Sequence, residues 1–215
     1  MGQSNFDLVA NFYPLLEQLV FGSTLNQARG FFSREIGAGK EVLLIGEGNG
    51  RFLCEMMKQT SSACSFTVVD SSARMLAAAR RRIAPITSNR SVEWICAEFL
   101  KWQAPRVLYD RVVTHFFLDL FRPDGICQIV EKISRITTAD ALWVNVDFTP
   151  EGRGLQEKIL MWAQYRFFQG WSGIEACRLA DARPWIRREG WKIREERSLK
   201  SGWISGYLMS RTPRS

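Results

Sequence analysis

The stretch EVLLIGEGNGRF, Glu41 to Phe52, decides the fold. Val42, Leu43, Leu44 and Ile45 are consecutive apolar residues, too few for a helix and lacking the alternation of a half-exposed strand. They predict a short strand buried on both faces. The run stops at Gly46, and the spacing Gly46-x-Gly48-x-Gly50 predicts a tight turn that opens a helix. Such a turn lets backbone N–H groups and a helix start approach a bound nucleotide. The third glycine of the dinucleotide fingerprint would fall where Arg51 stands, which argues against a plain NAD or FAD loop.

Immediately downstream, Ser65 to Val69 (SFTVV) predicts a second buried strand ending in Asp70. An acid at about that distance from a glycine turn reaches ribose hydroxyls in nucleotide-binding α/β folds. SSARMLAAARRR then predicts a helix capped by Ser71 or Ser72. Strand, G-x-G-x-G, second strand, acid, small residue and a helix bearing Met75-Leu76 together resemble the class I S-adenosylmethionine-dependent methyltransferases. That resemblance implies an α/β, doubly wound, Rossmann-like sheet of seven strands whose last strand is antiparallel. It implies S-adenosylmethionine as methyl donor, held by Gly46, Glu47, Gly48, Asn49, Gly50, Asp70 and Ser71. The family often carries an acid two positions before the first glycine, where this chain has Leu44. Glu47, inside the loop, is placed to take part of that role with the cofactor's ammonium group.

Further along, Ser91 to Cys96 (SVEWIC) reads as a third strand, followed by Ala97-Glu98-Phe99. This matches the stretch that contacts adenine in the family, with Glu98 accepting from the adenine amino group and Phe99 against the ring. The other reading of Glu98 is a carboxylate on a surface loop. Asp110 to Val113 predicts a fourth strand, continued by THFF at its carboxyl end, the edge at which open α/β sheets bind ligands. Thr114, with the cofactor-binding set, His115 and Phe116 are therefore expected to face the transferring methyl group. A helix from Pro123-Asp124 to about Thr137, a fifth strand Ala141 to Phe148, a helix near Asp181 to Glu189 and strands WKIREERSL and WISGYLMSR complete the alternation. The closing strand pair resembles the one that separates methyltransferases from dinucleotide dehydrogenases.

One domain is expected: a helical lid over 1–38, a cofactor-binding core over 39–148, a helical insertion over 149–178, and the last helix and strand pair over 179–215. Phe6-Asp7-x-x-Ala10-x-x-Tyr13 resembles the N-terminal lid of quinone-biosynthesis and phospholipid methyltransferases, with Pro14 where an aspartate is usual. Phe6, Phe12 and Tyr13 in the lid, and Met161, Trp162, Tyr165, Phe167 and Phe168 in the insertion, form two aromatic-rich sets. They either pack the added elements onto the sheet or enclose a small apolar or aromatic acceptor.

Catalytic candidates are few, as expected when the methyl donor is itself electrophilic and the protein mainly aligns the acceptor. His115, the sole histidine, reads either as general base or as a packing residue among aromatics. Asp119 would lie one helical turn beyond it if the segment were helical, either orienting the imidazole or capping the next turn. Tyr13 completes the candidate set. Cytosine C5 enzymes need a Pro-Cys nucleophile and amino-methylating DNA enzymes a Pro-Pro-aromatic motif after the fourth strand; the chain has neither. A catalytically silent S-adenosylmethionine-binding protein and an aminopropyltransferase on the same fold are the alternatives. The latter family places an acidic pair near the fourth strand, where only Asp119 is seen.

The formal charge of +7 is dispersed, and its one tight run, Arg80 to Arg82, complements a helix C-terminus, so no nucleic acid partner is expected. One histidine and scattered carboxylates predict no metal site. Five scattered cysteines without a C-x-x-C pair read as free thiols. No apolar run approaches the roughly 20 residues of a membrane span, and no signal sequence is read at the N-terminus. A cytoplasmic protein is expected, with peripheral contact to an anionic membrane left open; oligomeric state has no signature.

Overall fold

The computed structural model describes residues 23–60, 64–86, 91–105, 108–149, 180–200 and 202–211. Two short helices, α1 (Thr24–Arg29) and α2 (Ser33–Gly37), lead into β1 (Glu41–Ile45). Then follow α3 (Arg51–Gln59), β2 (Ser65–Asp70), α4 (Ala73–Ile83), β3 (Val92–Cys96), β4 (Tyr109–His115), α5 (Pro123–Arg135) and β5 (Thr137–Phe148). The described chain closes with α6 (Arg183–Arg188), β6 (Trp191–Leu199) and β7 (Ile204–Arg211).

The seven strands form one sheet in the order β3-β2-β1-β4-β5-β7-β6. β1 lies between β2 and β4, and β2–β3 and β4–β5 are also parallel pairs, whereas β7 runs antiparallel to both β5 and β6. The alternation of β1 explains its unbroken apolar sequence. Val42 and Leu44 point into one layer with Phe32, Ile36, Phe52, Met56 and Phe66. Leu43 and Ile45 point into the other with Ile126, Ile129, Ile133 and Trp143. A strand covered by helices on both faces must be apolar at every position, because successive side chains alternate between the faces.

Three boundaries differ from the sequence reading. Within the helical lid α1 ends at Arg29, and Phe32 takes a left-handed φ of 57° before α2 begins. Gly30 has low helix propensity, and burial of Phe32 at 1% exposure holds a conformation a phenylalanine would otherwise avoid. α5 stops at Arg135, and β5 starts four residues earlier than expected because Thr137 pairs with Tyr109, beside an irregularity between Tyr109 and Arg111. The third difference concerns Asp119. Phe116 turns the chain with φ 52°, and a short 3-10 turn over Leu118–Leu120 follows, so His115 and Asp119 share no helix.

Most of the lid, with Phe6, Phe12 and Tyr13, and the insertion, with Met161 to Phe168, lie outside the described residues. Among the described residues, no helix is long and apolar enough to cross a membrane.

Candidate active site

The glycine turn sits at the carboxyl end of β1 and is built by left-handed backbone: φ is +68° at Gly46, +68° at Gly48 and +77° at Gly50. Gly46 N–H donates to the Val69 carbonyl at 2.9 Å, extending the β1–β2 ladder into the loop. Two of the glycines are needed for packing. A Cβ at Gly46 would stand 2.6 Å from Cδ2 of Phe117, and one at Gly50 would stand 2.7 Å from Cβ and 2.8 Å from Cα of Ala79. Gly48 is different, since a Cβ there meets none of the described residues within 4 Å. Among the described residues, therefore, the middle of the loop is uncovered, which suits close approach of a ligand to the backbone.

Asp70, at the end of β2, braces that loop. Its Oδ2 accepts the Gly48 N–H at 2.9 Å and its Oδ1 the Ser72 N–H at 2.9 Å. Ser72, rather than Ser71, caps α4 by accepting the Met75 N–H at 3.2 Å. Ser71 is half-buried between them. Asn49 is held by its backbone, its carbonyl accepting from Nε of Arg82 at 2.9 Å. Arg82, read from sequence as a helix-dipole partner, thus also ties α4 to the loop.

Glu47 accepts the Leu53 N–H at 3.0 Å, covering the start of α3. Dense surroundings raise its carboxyl to about 7, opposed by that bond and by the Arg29 guanidinium, and reinforced by the nearby Asp70. Glu47 and Asp70 together place two acids beside a loop left uncovered among the described residues. Carboxylate acceptors there suit the ammonium and ribose hydroxyl donors of S-adenosylmethionine.

The adenine-side candidates separate. Glu98 is exposed and pairs with Lys101 at 2.9 Å, whereas Phe99 is 5% exposed and packs against Trp102 and Phe117, with centroids 6.1 and 6.4 Å away. The turn carrying both is fastened by Lys132 of α5, whose Nζ donates to the carbonyls of Phe99 (2.5 Å), Leu100 (3.3 Å) and Trp102. The ammonium also lies 4.9 Å from the Phe99 ring centroid. Burial lowers the Lys132 pKa.

At the end of β4, Thr114 is fully buried in a polar thread. Trp143 Nε1 donates to Thr114 Oγ1 at 2.9 Å, and Thr114 donates to Asn145 Oδ1 at 2.7 Å. His115 is 7% exposed and packs edge-on against Phe52, centroids 4.6 Å apart. Neither imidazole nitrogen has a hydrogen-bond partner among the described residues. Burial, and secondarily the Arg29 charge, pull its pKa down to about 3, so the ring is neutral at physiological pH.

Asp119 does not reach His115. It hydrogen-bonds Asp147 at the end of β5, which the sequence reading did not single out. Burial raises both carboxyls, Asp119 to about 7, and the Asp119 charge raises Asp147 further. Asp147 Oδ1 accepts the Phe117 N–H at 2.9 Å. Asn145 and the Leu118 N–H also bond Asp147. An acid inside the apolar run ALWVNVDF was the available signal. The pair borders a recess of about 30 Å³, with Thr149, Arg183 and Tyr207 among its walls, room for about one water molecule. Among the described residues no group of three or more His, Cys, Asp or Glu is arranged to hold a metal ion.

This sheet order, with its antiparallel β7 and a braced glycine turn at the carboxyl edge, defines a Rossmann-like methyltransferase fold. Residues 42–140 match a family model described as a methyltransferase domain. The family match and the sheet order agree on a methyltransferase-like domain over this part of the chain. No curated protein matches the sequence. Among solved structures it is similar to a mitomycin 7-O-methyltransferase, with TM-score 0.70 and 13% identity over 97% of this chain and 61% of the other. The chain thus spans about three fifths of that protein's length. It is also similar to a neocarzinostatin-biosynthesis O-methyltransferase solved with S-adenosylmethionine and 2-hydroxy-5-methyl naphthoic acid (TM-score 0.64, 14% identity, 94% and 56% coverage). A third is magnesium protoporphyrin IX methyltransferase from Synechocystis (TM-score 0.67, 14% identity, 94% and 88% coverage).

Proposed function

We propose that the protein transfers the methyl group to a small, apolar or aromatic molecule carrying one nucleophilic polar group. One observation carries this reading. At the carboxyl end of β4, the buried His115, packed edge-on against Phe52, keeps both ring nitrogens without a hydrogen-bond partner among the described residues. A buried polar group is normally hydrogen-bonded, so an unsatisfied one at the ligand edge suits an acceptor with a polar group on an apolar body. The aromatic sets of the lid and insertion sequences agree with such an acceptor. So do the acceptors named for the similar structures, a mitomycin, a naphthoic acid and a porphyrin.

Bound S-adenosylmethionine supplies an electrophilic methyl carbon on a sulfonium. Gly46, Glu47, Gly48, Asn49, Gly50, Asp70, Ser71, Glu98 and Phe99 hold it, and Thr114 sets the end of β4 through its buried hydroxyl. His115, neutral across the physiological range, accepts a hydrogen bond from the acceptor and fixes the lone pair that attacks. With a pKa near 3 it orients better than it deprotonates. Tyr13 is the further polar candidate for the acceptor side, whereas Asp119, engaged with Asp147, takes no direct part.

The test is transfer from labelled S-adenosylmethionine to a panel of phenols, aromatic acids and N-heteroaromatics, alongside protein and nucleic acid. His115→Ala should lower turnover on the best small acceptor while leaving S-adenosylhomocysteine affinity near the parent's. Transfer to protein or nucleic acid with none to small molecules would refute the proposal.

A further inference from the structure

We propose that Asp147 is a positioning residue for the cofactor loop: its carboxylate latches the Phe116–Leu120 turn so that the Phe117 ring seats Gly46. The inference rests on the cofactor site and is independent of the acceptor's identity.

The turn that follows β4 begins against conformational preference, since Phe116 adopts a left-handed φ of 52°. Its backbone is anchored behind by the Phe116 N–H on the Val146 carbonyl at 2.7 Å. The next two N–H groups, of Phe117 and Leu118, are the leading donors of the 3-10 turn and point away from its own carbonyls. Asp147, on the neighbouring strand, takes both, the first at 2.9 Å. It therefore acts as an N-terminal cap supplied in trans by the sheet.

What the latch holds is Phe117. The Phe117 ring fills the place where a Gly46 side chain would be, with Cδ2 2.6 Å from a Cβ built there. It also meets Phe99 edge-on, interplanar angle 88°, and Phe121 at 5.0 Å. One ring thus touches the glycine loop and the turn after β3, two segments that flank the cofactor. Freeing the Phe117 N–H releases that ring from both.

The latch also has a built-in pH dependence. Asp119 belongs to the turn itself and hydrogen-bonds Asp147, so the two carboxyls share a proton across the β4–β5 junction. The groups facing them are Asn145 of β5, Asp181 before α6, Arg183 at its start, and Tyr207 of β7. Arg183 is engaged by Asp181 at 2.8 Å. When the shared proton leaves, two carboxylates in contact repel, and Asp119 carries the turn away from Asp147.

The experiment is calorimetric titration of the full chain with S-adenosylhomocysteine across about pH 6 to 9, with thermal melts of each variant. Asp147→Ala should weaken binding about tenfold, and Asp147→Asn, whose Oδ1 still accepts the N–H groups, should restore most of it. The parent should lose affinity toward the alkaline end, beyond the loss from the ligand's own amine that every variant shares. Asp119→Asn should lack that extra loss. If Asp147→Ala does not fold, Phe117→Leu should weaken binding in its place, and the Asp119→Asn titration still decides. A folded Asp147→Ala or Phe117→Leu variant that binds like the parent overturns the proposal. So does an alkaline loss that runs parallel in the parent and Asp119→Asn. A merely structural role would move the melting temperature and leave both readouts unchanged.

Discussion

Replacing each glycine of the loop by alanine should produce two different kinds of damage. All three have left-handed backbone, so a Cβ costs about 1 to 2 kcal/mol at any of them. At Gly50 the new methyl would also stand 2.8 Å from the Cα of Ala79, and helix backbone cannot swing aside as a side chain can. Separating α3 from α4 adds roughly 1 to 3 kcal/mol, so Gly50→Ala should lose about 2 to 5 kcal/mol in stability. At Gly48 none of the described residues lies within 4 Å, and the unliganded protein should lose only the backbone term. The methyl then projects into the space the loop offers a cofactor, and an overpacked contact there costs binding roughly 1 to 3 kcal/mol, about tenfold or more in affinity. Urea unfolding gives the first quantity and calorimetry with S-adenosylhomocysteine the second. A Gly48→Ala variant that binds like the parent would show that the loop does not approach the cofactor. A Gly50→Ala variant no less stable than Gly48→Ala would refute the packing argument.

Asp70→Ala removes the acceptor for the Gly48 and Ser72 N–H groups, so stability should fall by roughly 2 kcal/mol and S-adenosylhomocysteine affinity by at least about tenfold; unchanged affinity would sink the ribose assignment. Lys132→Met keeps the aliphatic stem but leaves three carbonyls without their donor. It should weaken 5′-methylthioadenosine, an adenosine-side probe, as much as S-adenosylhomocysteine, whereas a change confined to the latter would detach this turn from adenine. For pH, Glu47 and Asp119 are raised to about 7, so the folded state keeps protons that the unfolded chain releases near pH 4. Their stability is fully present below about pH 4 and is lost as pH rises to 7, by up to about 1.4 kcal/mol per unit per group. His115, pulled to about 3, acts oppositely, favouring the folded state above pH 6.5 and losing that as pH falls. Two groups outweigh one, so the unliganded protein should melt at lower temperature at pH 7.5 than at pH 5; the reverse order would refute the assigned burial.

What the sequence determined by itself was local and periodic. Four apolar residues in a row can only suit a strand covered on both faces, and glycines at every second position can only suit backbone that other residues avoid. Val42 to Ile45 and Gly46 to Gly50 were therefore legible without neighbours, as were Asp70 and the cap at Ser72, whose partners lie within a few residues or at a spacing the βαβ unit imposes. The tertiary structure decided what depends on adjacency between distant segments. Lys132 reads as an ordinary surface residue of an amphipathic helix until the sheet order brings α5 beside the turn after β3. The same holds for Asp119: a helical count aimed it at His115, but the left-handed step at Phe116 turned it toward β5. There it met Asp147, 28 residues away in the chain and one strand away in the sheet. Burial, which sets the protonation of Glu47, His115 and this pair, belongs to the same category, because hydration is lost only when both layers close over the strand ends.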